Sequence, residues 1–340
     1  MIGKDDLLIG AFYADSSSSA IDSGIQYVIF GKSKSEFGTS VALTDLDGTD
    51  GFRLDGEATW DFAGWSVSTA GDVNGDGYGD IVIGEPRGNN TGIPHAYIYY
   101  GKSGGYSSEV DLDALNGSNG FALAGSAGSH LGTSVSSAGD MNGDGYDDLI
   151  VGSPYVDLHP RAPLQIDFTS PLAGNPGEAW VIFGKASGFS ANTALTSLDD
   201  TEGFRIEGID AGDQAGFSVS STGDINGDGY DDIIIGAPGA ASKKGESYVI
   251  FGGDFTGDST ISSGSGEDLV RDTYSLIRSF SESRDNPLTP GDAINASSET
   301  RDPCLGNDSV PVLSYQGDRS DLVNQSTFLD SMEDDDQKYV

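Results

Sequence analysis

The sequence predicts an all-β chain, a β-propeller of four-stranded blades, and three observations predict it. One acidic loop occurs three times, as DVNGDGYGD at 72–80, DMNGDGYDD at 140–148 and DINGDGYDD at 224–232. A short apolar run bounded by glycine follows each loop, IVIG, LIVG or IIIG. Each loop sits in a longer repeat whose copies start 68 and 84 residues apart. A repeat at such a period, with four short β-rich runs between turn residues, is the pattern of propeller blades.

The elements follow in order along one repeat. The first run and the loop read GWSVSTAGDVNGDGYGDIVIGEP (64–86), GTSVSSAGDMNGDGYDDLIVGSP (132–154) and GFSVSSTGDINGDGYDDIIIGAP (216–238). The run after the loop is apolar at successive positions, so it is expected to be buried on both faces. A third run follows, AYIYYG, AWVIFG or SYVIFG, and a fourth, GFALAG (120–125) or GFRIEG (203–208). An earlier partial copy supplies DDLLIGA (5–11), QYVIFG (26–31) and GFRLDG (51–56).

Each loop places oxygen side chains at positions 1, 3, 5 and 9 and glycine at 4 and 6. Hard oxygen ligands on alternate residues of a tight turn suit calcium, and glycine allows the sharp bend. The expected ligands are Asp72, Asn74, Asp76 and Asp80; Asp140, Asn142, Asp144 and Asp148; and Asp224, Asn226, Asp228 and Asp232. The backbone carbonyls of Tyr78, Tyr146 and Tyr230 would complete the three sites. Three carboxylates brought together repel unless a cation lies between them. Position 12, a glutamate in the EF-hand, is Ile83, Val151 or Ile235 here, so the loops join strands rather than helices. The competing reading of one such loop is a metal-free Asn-Gly or Asp-Gly turn; three matched copies argue against it.

These residues resemble the FG-GAP repeat of the N-terminal propeller of integrin α subunits, and most closely bacterial integrin-α-like surface proteins. The resemblance covers about residues 5–252, with GAP at 236–238 and GEP and GSP in the other copies. It implies that the calcium loop joins the first two strands of a blade. It also implies ligand binding on the face opposite the loops. The phenylalanine-glycine element departs from the pattern: Ala63-Gly64, Leu131-Gly132 and Ala215-Gly216 stand there, with Phe217 after the last.

The expected organisation is a partial blade at 1–57 lacking its first strand, complete blades at 58–125 and 126–208, a partial blade at 209–256 lacking its fourth strand, and a tail at 257–340. That is about three and a half blades, fewer than a closed propeller uses. Further blades in a longer parent chain, a union of the two half-blades, and completion by another copy are the alternatives. In the tail, EDLVRDTYSLIRSF (267–280) spaces Val270, Tyr274, Ile277 and Phe280 at helical intervals. A short helix in a mostly disordered acidic segment is expected, with a small separate domain as the alternative.

The formal charge is −37, from 17 basic and 54 acidic residues. A surface so acidic argues against nucleic acid and anionic membranes, and favours cations or basic partners. Cys304 is the one cysteine, so no disulfide forms within the chain. No run is apolar for the length of a bilayer span. An extracellular or cell-surface location is expected, where abundant calcium keeps weak sites filled. The sequons at Asn89, Asn116, Asn295, Asn307 and Asn324 matter only in a glycosylating host.

No catalytic constellation emerges. Gly101-Lys102-Ser103-Gly104-Gly105 matches G-x-S-x-G without a following helix, and it ends a strand. His95, His130 and His159 lack paired metal-ligand spacing. The expectation is a non-enzymatic, calcium-binding adhesion or protein-binding module with a protein or matrix partner. The alternative is a structural spacer without a ligand, and a third reading is the accessory propeller of a hydrolase whose catalytic domain is absent.

Variation in length is concentrated in one loop. The interval from the first-strand glycine to the GAP glycine is constant, 64–84, 132–152 and 216–236. The stretch after it varies and is longest at 153–177, where Tyr155, His159, Arg161 and Phe168 supply groups suited to contact. These four are the candidate ligand-contact residues, set against a tolerated surface insertion.

Overall fold

In the computed structural model, the described residues are 4–255 apart from 34–35, 37–38, 57, 89–91, 156–175 and 200, together with 277–280. They form strands β1 (Leu7–Ala11), β2 (Ile25–Ile29), β3 (Gly51–Asp55), β4 (Ser66–Gly71), β5 (Asp80–Glu85), β6 (His95–Tyr99), β7 (Glu109–Asp111), β8 (Gly120–Ala124) and β9 (Ser134–Gly139). The series continues with β10 (Asp148–Ser153), β11 (Glu178–Ile182), β12 (Asn192–Ala194), β13 (Gly203–Glu207), β14 (Ser218–Gly223), β15 (Asp232–Ala237), β16 (Glu246–Ile250) and β17 (Ile277–Phe280). One helical turn, α1 (Ala240–Lys243), lies between β15 and β16.

Four sheets result, one per repeat. Three hold complete antiparallel blades, β4-β5-β6-β8, β9-β10-β11-β13 and β14-β15-β16-β17. The first holds β1-β2-β3, without a strand preceding β1 among the described residues. Two further strands are straps between repeats. β7, which lies between β6 and β8, pairs in parallel with β3 of the preceding blade. β12, between β11 and β13, does the same with β8.

Alternation in the strands feeds two different cores, as the doubly apolar runs require. Val82 enters the core between the second and third sheets, while its neighbour Ile83 enters the one between the first and second. Leu149 and Val151 likewise face one core and Ile150 the next. Each residue so placed is nearly inaccessible, and its removal would leave a cavity.

The GAP glycine has a packing reason. A Cβ on Gly84 would lie 2.0 Å from the carbonyl oxygen of Gly132, the first-strand glycine of the next blade. The same approach is made by Gly152 to the carbonyl oxygen of Gly216. In the first of these seams, the Gly132 carbonyl also accepts the Ser66 hydroxyl at 2.8 Å. Backbones meet this closely only where no side chain intervenes, so each seam requires glycine there. Within a blade the two glycines are tied directly: the Gly64 amide donates to the Gly84 carbonyl and the Gly132 amide to the Gly152 carbonyl, both at 3.0 Å, which fixes the interval between them.

The last blade differs from expectation. Its fourth strand is present: β17 pairs antiparallel with β16 over Ile277–Phe280. The apolar spacing of 267–280 predicted a helix, but 277–280 are extended; the rest of that segment lies outside the described residues. The open edge of β16 offers unpaired N–H and C=O groups, and satisfying them outweighs a weak local periodicity.

Candidate metal centres

Each acidic loop leaves its first strand through a bulge. Register shifts between Thr69 and Gly71, and again between Ser221 and Gly223; in the middle blade the shift falls between Asp148 and Leu149, opposite Gly139 and Ser137. Gly71, Gly139 and Gly223 all have positive φ there. A bulge of this kind bends the strand and aims the next residues out of the ladder.

The loops share one internal frame. Both Asp72 carboxylate oxygens accept backbone N–H groups, of Asp76 at 3.0 Å and Gly77 at 2.8 Å. Asn74 Oδ1 accepts the Asp76 amide, and Asp76 Oδ1 accepts the Tyr78 amide. Asp140, Asn142 and Asp144 repeat this pattern, as do Asp224, Asn226 and Asp228. Gly75 and Gly77 have φ of 72° and 86°, a turn that other residues adopt only with strain.

The carboxylate at position 9 anchors the loop. Asp80 is fully buried; its Oδ2 accepts the Val73 amide at 3.0 Å and its Oδ1 the Gly101 amide at 2.8 Å. Asp148 holds Met141 and Gly184 in the same way, and Asp232 holds Ile225 and Gly252. Burial pushes Asp80 up to about 7 and Asp148 to about 8 in pKa, against the opposing effect of the two amides. Asp232 is raised for the same reason.

The donor set of each loop is of the oxygen-only kind that hard cations take, but among the described residues no loop brings one oxygen from each of its three carboxylates within 4.8 Å of one another. Every side chain contributed is a carboxylate or an amide, with no nitrogen or sulfur ligand in the loops. An oxygen that accepts one N–H retains a second lone pair for a metal.

Two residues of the loops have a role the sequence did not disclose. Asp147, at position 8, accepts the Asp72 amide at 2.7 Å, and Asp231 accepts the Asp140 amide at 3.0 Å. The tyrosine at position 7 lies over the preceding loop: a Cβ on Gly75 would be 2.3 Å from the Tyr146 ring, and one on Gly143 2.6 Å from Tyr230. The signal available was Asp at position 8 in the second and third loops against Gly79 in the first.

At the opposite edge of the blades, Phe12, Tyr13, Phe62 and Trp65 form a chain of ring contacts. Arg87 lies over Phe62, 5.1 Å from its centroid. Tyr13 and Trp60 are 61% and 44% exposed there. Beneath, Glu85 at the end of β5 is buried, with Oε1 3.4 Å from His95 Nδ1. Buried Asp61 is pushed up to about 7, first by desolvation and then by the charge of Glu85. Of the four candidate contact residues, Tyr155 packs edge-on to His130 at 5.5 Å, on this same edge. His159, Arg161 and Phe168 lie outside the described residues.

The FG-GAP repeat family model matches residues 63–97, 131–182 and 215–250, so the chain carries three FG-GAP repeats. It is 34% identical over 194 residues to integrin alpha pat-2 of Caenorhabditis elegans, covering 56% of the chain and 14% of that protein. It is 31% identical over 192 residues to integrin alpha-5 of Xenopus laevis, covering 56% and 15%. Phosphatidylinositol-glycan-specific phospholipase D of Bos taurus is also similar, at 30% over 196 residues, covering 56% and 20%. The aligned part thus spans a fifth or less of these relatives. Among the described residues no helix is long and apolar enough to cross a membrane.

Proposed function

We propose that the chain, with its three FG-GAP repeats, is a calcium-binding adhesion or protein-binding module of the cell surface, and not itself an enzyme. The observation that carries the calcium reading is the threefold loop frame: the same carboxylates, amide and glycines recur with the same hydrogen bonds. Each loop takes one calcium ion through its Asp, Asn, Asp and Asp side chains and the tyrosine carbonyl at position 7. The ion neutralises carboxylates that otherwise repel and ties the first two strands of its blade together.

Recognition belongs to the opposite edge. Tyr13 and Trp60 are exposed, and Arg87 lies over Phe62, whose ring also meets Tyr13; rigid aromatic and arginine groups are the usual anchors of a protein contact. Tyr155 begins the long loop of the third repeat unit on that edge, and His159, Arg161 and Phe168 are proposed to extend the contact. The similarity to integrin α chains supports a protein or matrix ligand at the cell surface. The similarity to a phospholipase D supports a second reading, in which the repeats accompany a catalytic domain elsewhere.

Adhesion to immobilised matrix proteins tests the proposal. The wild type is expected to adhere in calcium and to lose adhesion in EDTA. Replacing 157–174 by a short Gly-Ser turn, or Trp60 and Tyr13 by alanine, is expected to reduce adhesion at unchanged calcium-dependent stability. Equal adhesion by every variant would favour the spacer reading.

A further inference from the structure

We propose a fourth cation site, separate from the loops, at the strap between the first and second blades: Asp55, Glu109 and Asp111 would hold a divalent cation of the hard, oxygen-seeking class. Asp55 ends β3, and Glu109 and Asp111 flank Val110 on β7. The parallel register sets Arg53 beside Glu109 and Asp55 beside Asp111, so all four side chains share one face of the ladder. One oxygen from each of the three carboxylates lies within 4.8 Å of the others. β3 runs parallel to β1, the strand after the loop position, so its C-terminal end lies on the edge away from the acidic loops.

A cluster of acids alone would mean little, but Asp55 adds an independent observation. It is 3% exposed, and its Oδ1 is buried without a hydrogen-bond partner. The Asp55 carboxyl is thus buried with one oxygen unsatisfied and one oxygen within 4.8 Å of two other carboxylates, an arrangement that is costly unless a cation or a shared proton completes it. The local guanidinium is already committed: Arg53 Nη2 reaches Asp55 Oδ2 at 3.1 Å and Glu109 Oε2 at 2.7 Å. Three carboxylates and one guanidinium leave two negative charges, which one divalent cation would balance.

The fold does not demand these acids. The strap between the second and third blades has the same register, and there Ala122, Ala124, Asn192 and Ala194 stand at the positions of Arg53, Asp55, Glu109 and Asp111. Strand pairing alone is therefore met by small neutral residues. Glu109 and Asp111 are exposed, so water would fill the remaining coordination positions and the site would be weaker than a closed oxygen cage.

Manganese is the probe, since it favours the same oxygen ligands and is visible by anomalous scattering and by paramagnetic resonance. Crystals of the full chain grown with millimolar Mn²⁺ are expected to show an anomalous peak between Asp55, Glu109 and Asp111. In solution, D111N is expected to bind one Mn²⁺ fewer than wild type while Asp224→Asn loses a different one, so the double variant loses two. In chelator D111N should melt no lower than wild type, because it relieves repulsion, and its gain on adding Mn²⁺ should be smaller. Absence of the peak, or an unchanged count of bound Mn²⁺ in D111N, overturns the site and leaves the loop proposal untouched.

Discussion

Asp72 and Asp147 hold each other reciprocally. Asp147 Oδ2 accepts the Asp72 amide at 2.7 Å, and the Asp72 carbonyl accepts the Asp147 amide at 3.2 Å. The same exchange joins Asp140 and Asp231, at 3.0 and 3.1 Å. The first proposed ligand of the loops at 72–80 and 140–148 is thus positioned by the loop of the next blade, which would couple neighbouring sites. Asp147→Ala is expected to destabilise the protein by about 1–2 kcal/mol, the loss of a charge-assisted hydrogen bond. It should also weaken calcium binding at the loop 72–80, although Asp147 is not one of its proposed ligands. Asp147→Asn, which keeps an acceptor oxygen, should cost less. Calorimetric titration of the variants checks the coupling; equal affinities at every site would refute it.

Calcium removal should lower the melting temperature. At free calcium about 100-fold above Kd, each occupied site adds about 2.7 kcal/mol, without simple additivity between coupled blades. Magnesium should restore little, since it requires a tighter octahedron than these loops offer. A melting curve that EDTA leaves unchanged in a verified calcium-loaded sample would sink the prediction.

Asp61 should make stability depend on pH. Its pKa rises from 3.8 to about 7 in the folded protein, so the native state retains a proton that the unfolded chain releases. Asp61 therefore contributes stability that is lost as pH climbs from about 4 to 7, with a slope of at most about 1.4 kcal/mol per pH unit. Glu85, also held well above the usual range by burial, acts in the same direction. His95, lowered by burial against the pull of Asp113 and Asp61, opposes them as pH rises towards 6.5. Tyr97, raised well above its ordinary value, remains protonated throughout this window. Asp61→Asn removes one titration at nearly constant shape. Denaturant titrations at pH 5 and 8, with calcium saturating, should show a smaller loss for the variant; identical losses would exclude Asp61 as a source.

Equivalent positions in successive loops should differ in cost. Val73 and Met141 are 1% and 0% exposed, whereas Ile225 is 62% exposed. Met141→Ala should destabilise by about 2–5 kcal/mol through the cavity it opens. Ile225→Ala should fall within about 0.5 kcal/mol. Chemical denaturation of both compares the two directly, and equal costs would contradict the packing described for the loops.

The local chemistry of this protein was legible in its residues. Spacing of oxygen side chains and glycines located the three loops. The constant interval between glycines reflected a real constraint, the hydrogen bond from the Gly64 amide to the Gly84 carbonyl, which Gly132 and Gly152 repeat. Successive apolar residues such as Val82 and Ile83 announced a strand with two buried faces. These features repeat with the chain, so sequence displays them directly. The straps β7 and β12, the Asp72–Asp147 exchange, and the meeting of Asp55 with Glu109 and Asp111 were hidden, because each joins residues from different repeats. Strand β17 was hidden for a related reason: its partner, the open edge of β16, exists only once the blade has formed. Periodicity reports which face of an element is apolar; which partner lies against that face is decided when the blades stack.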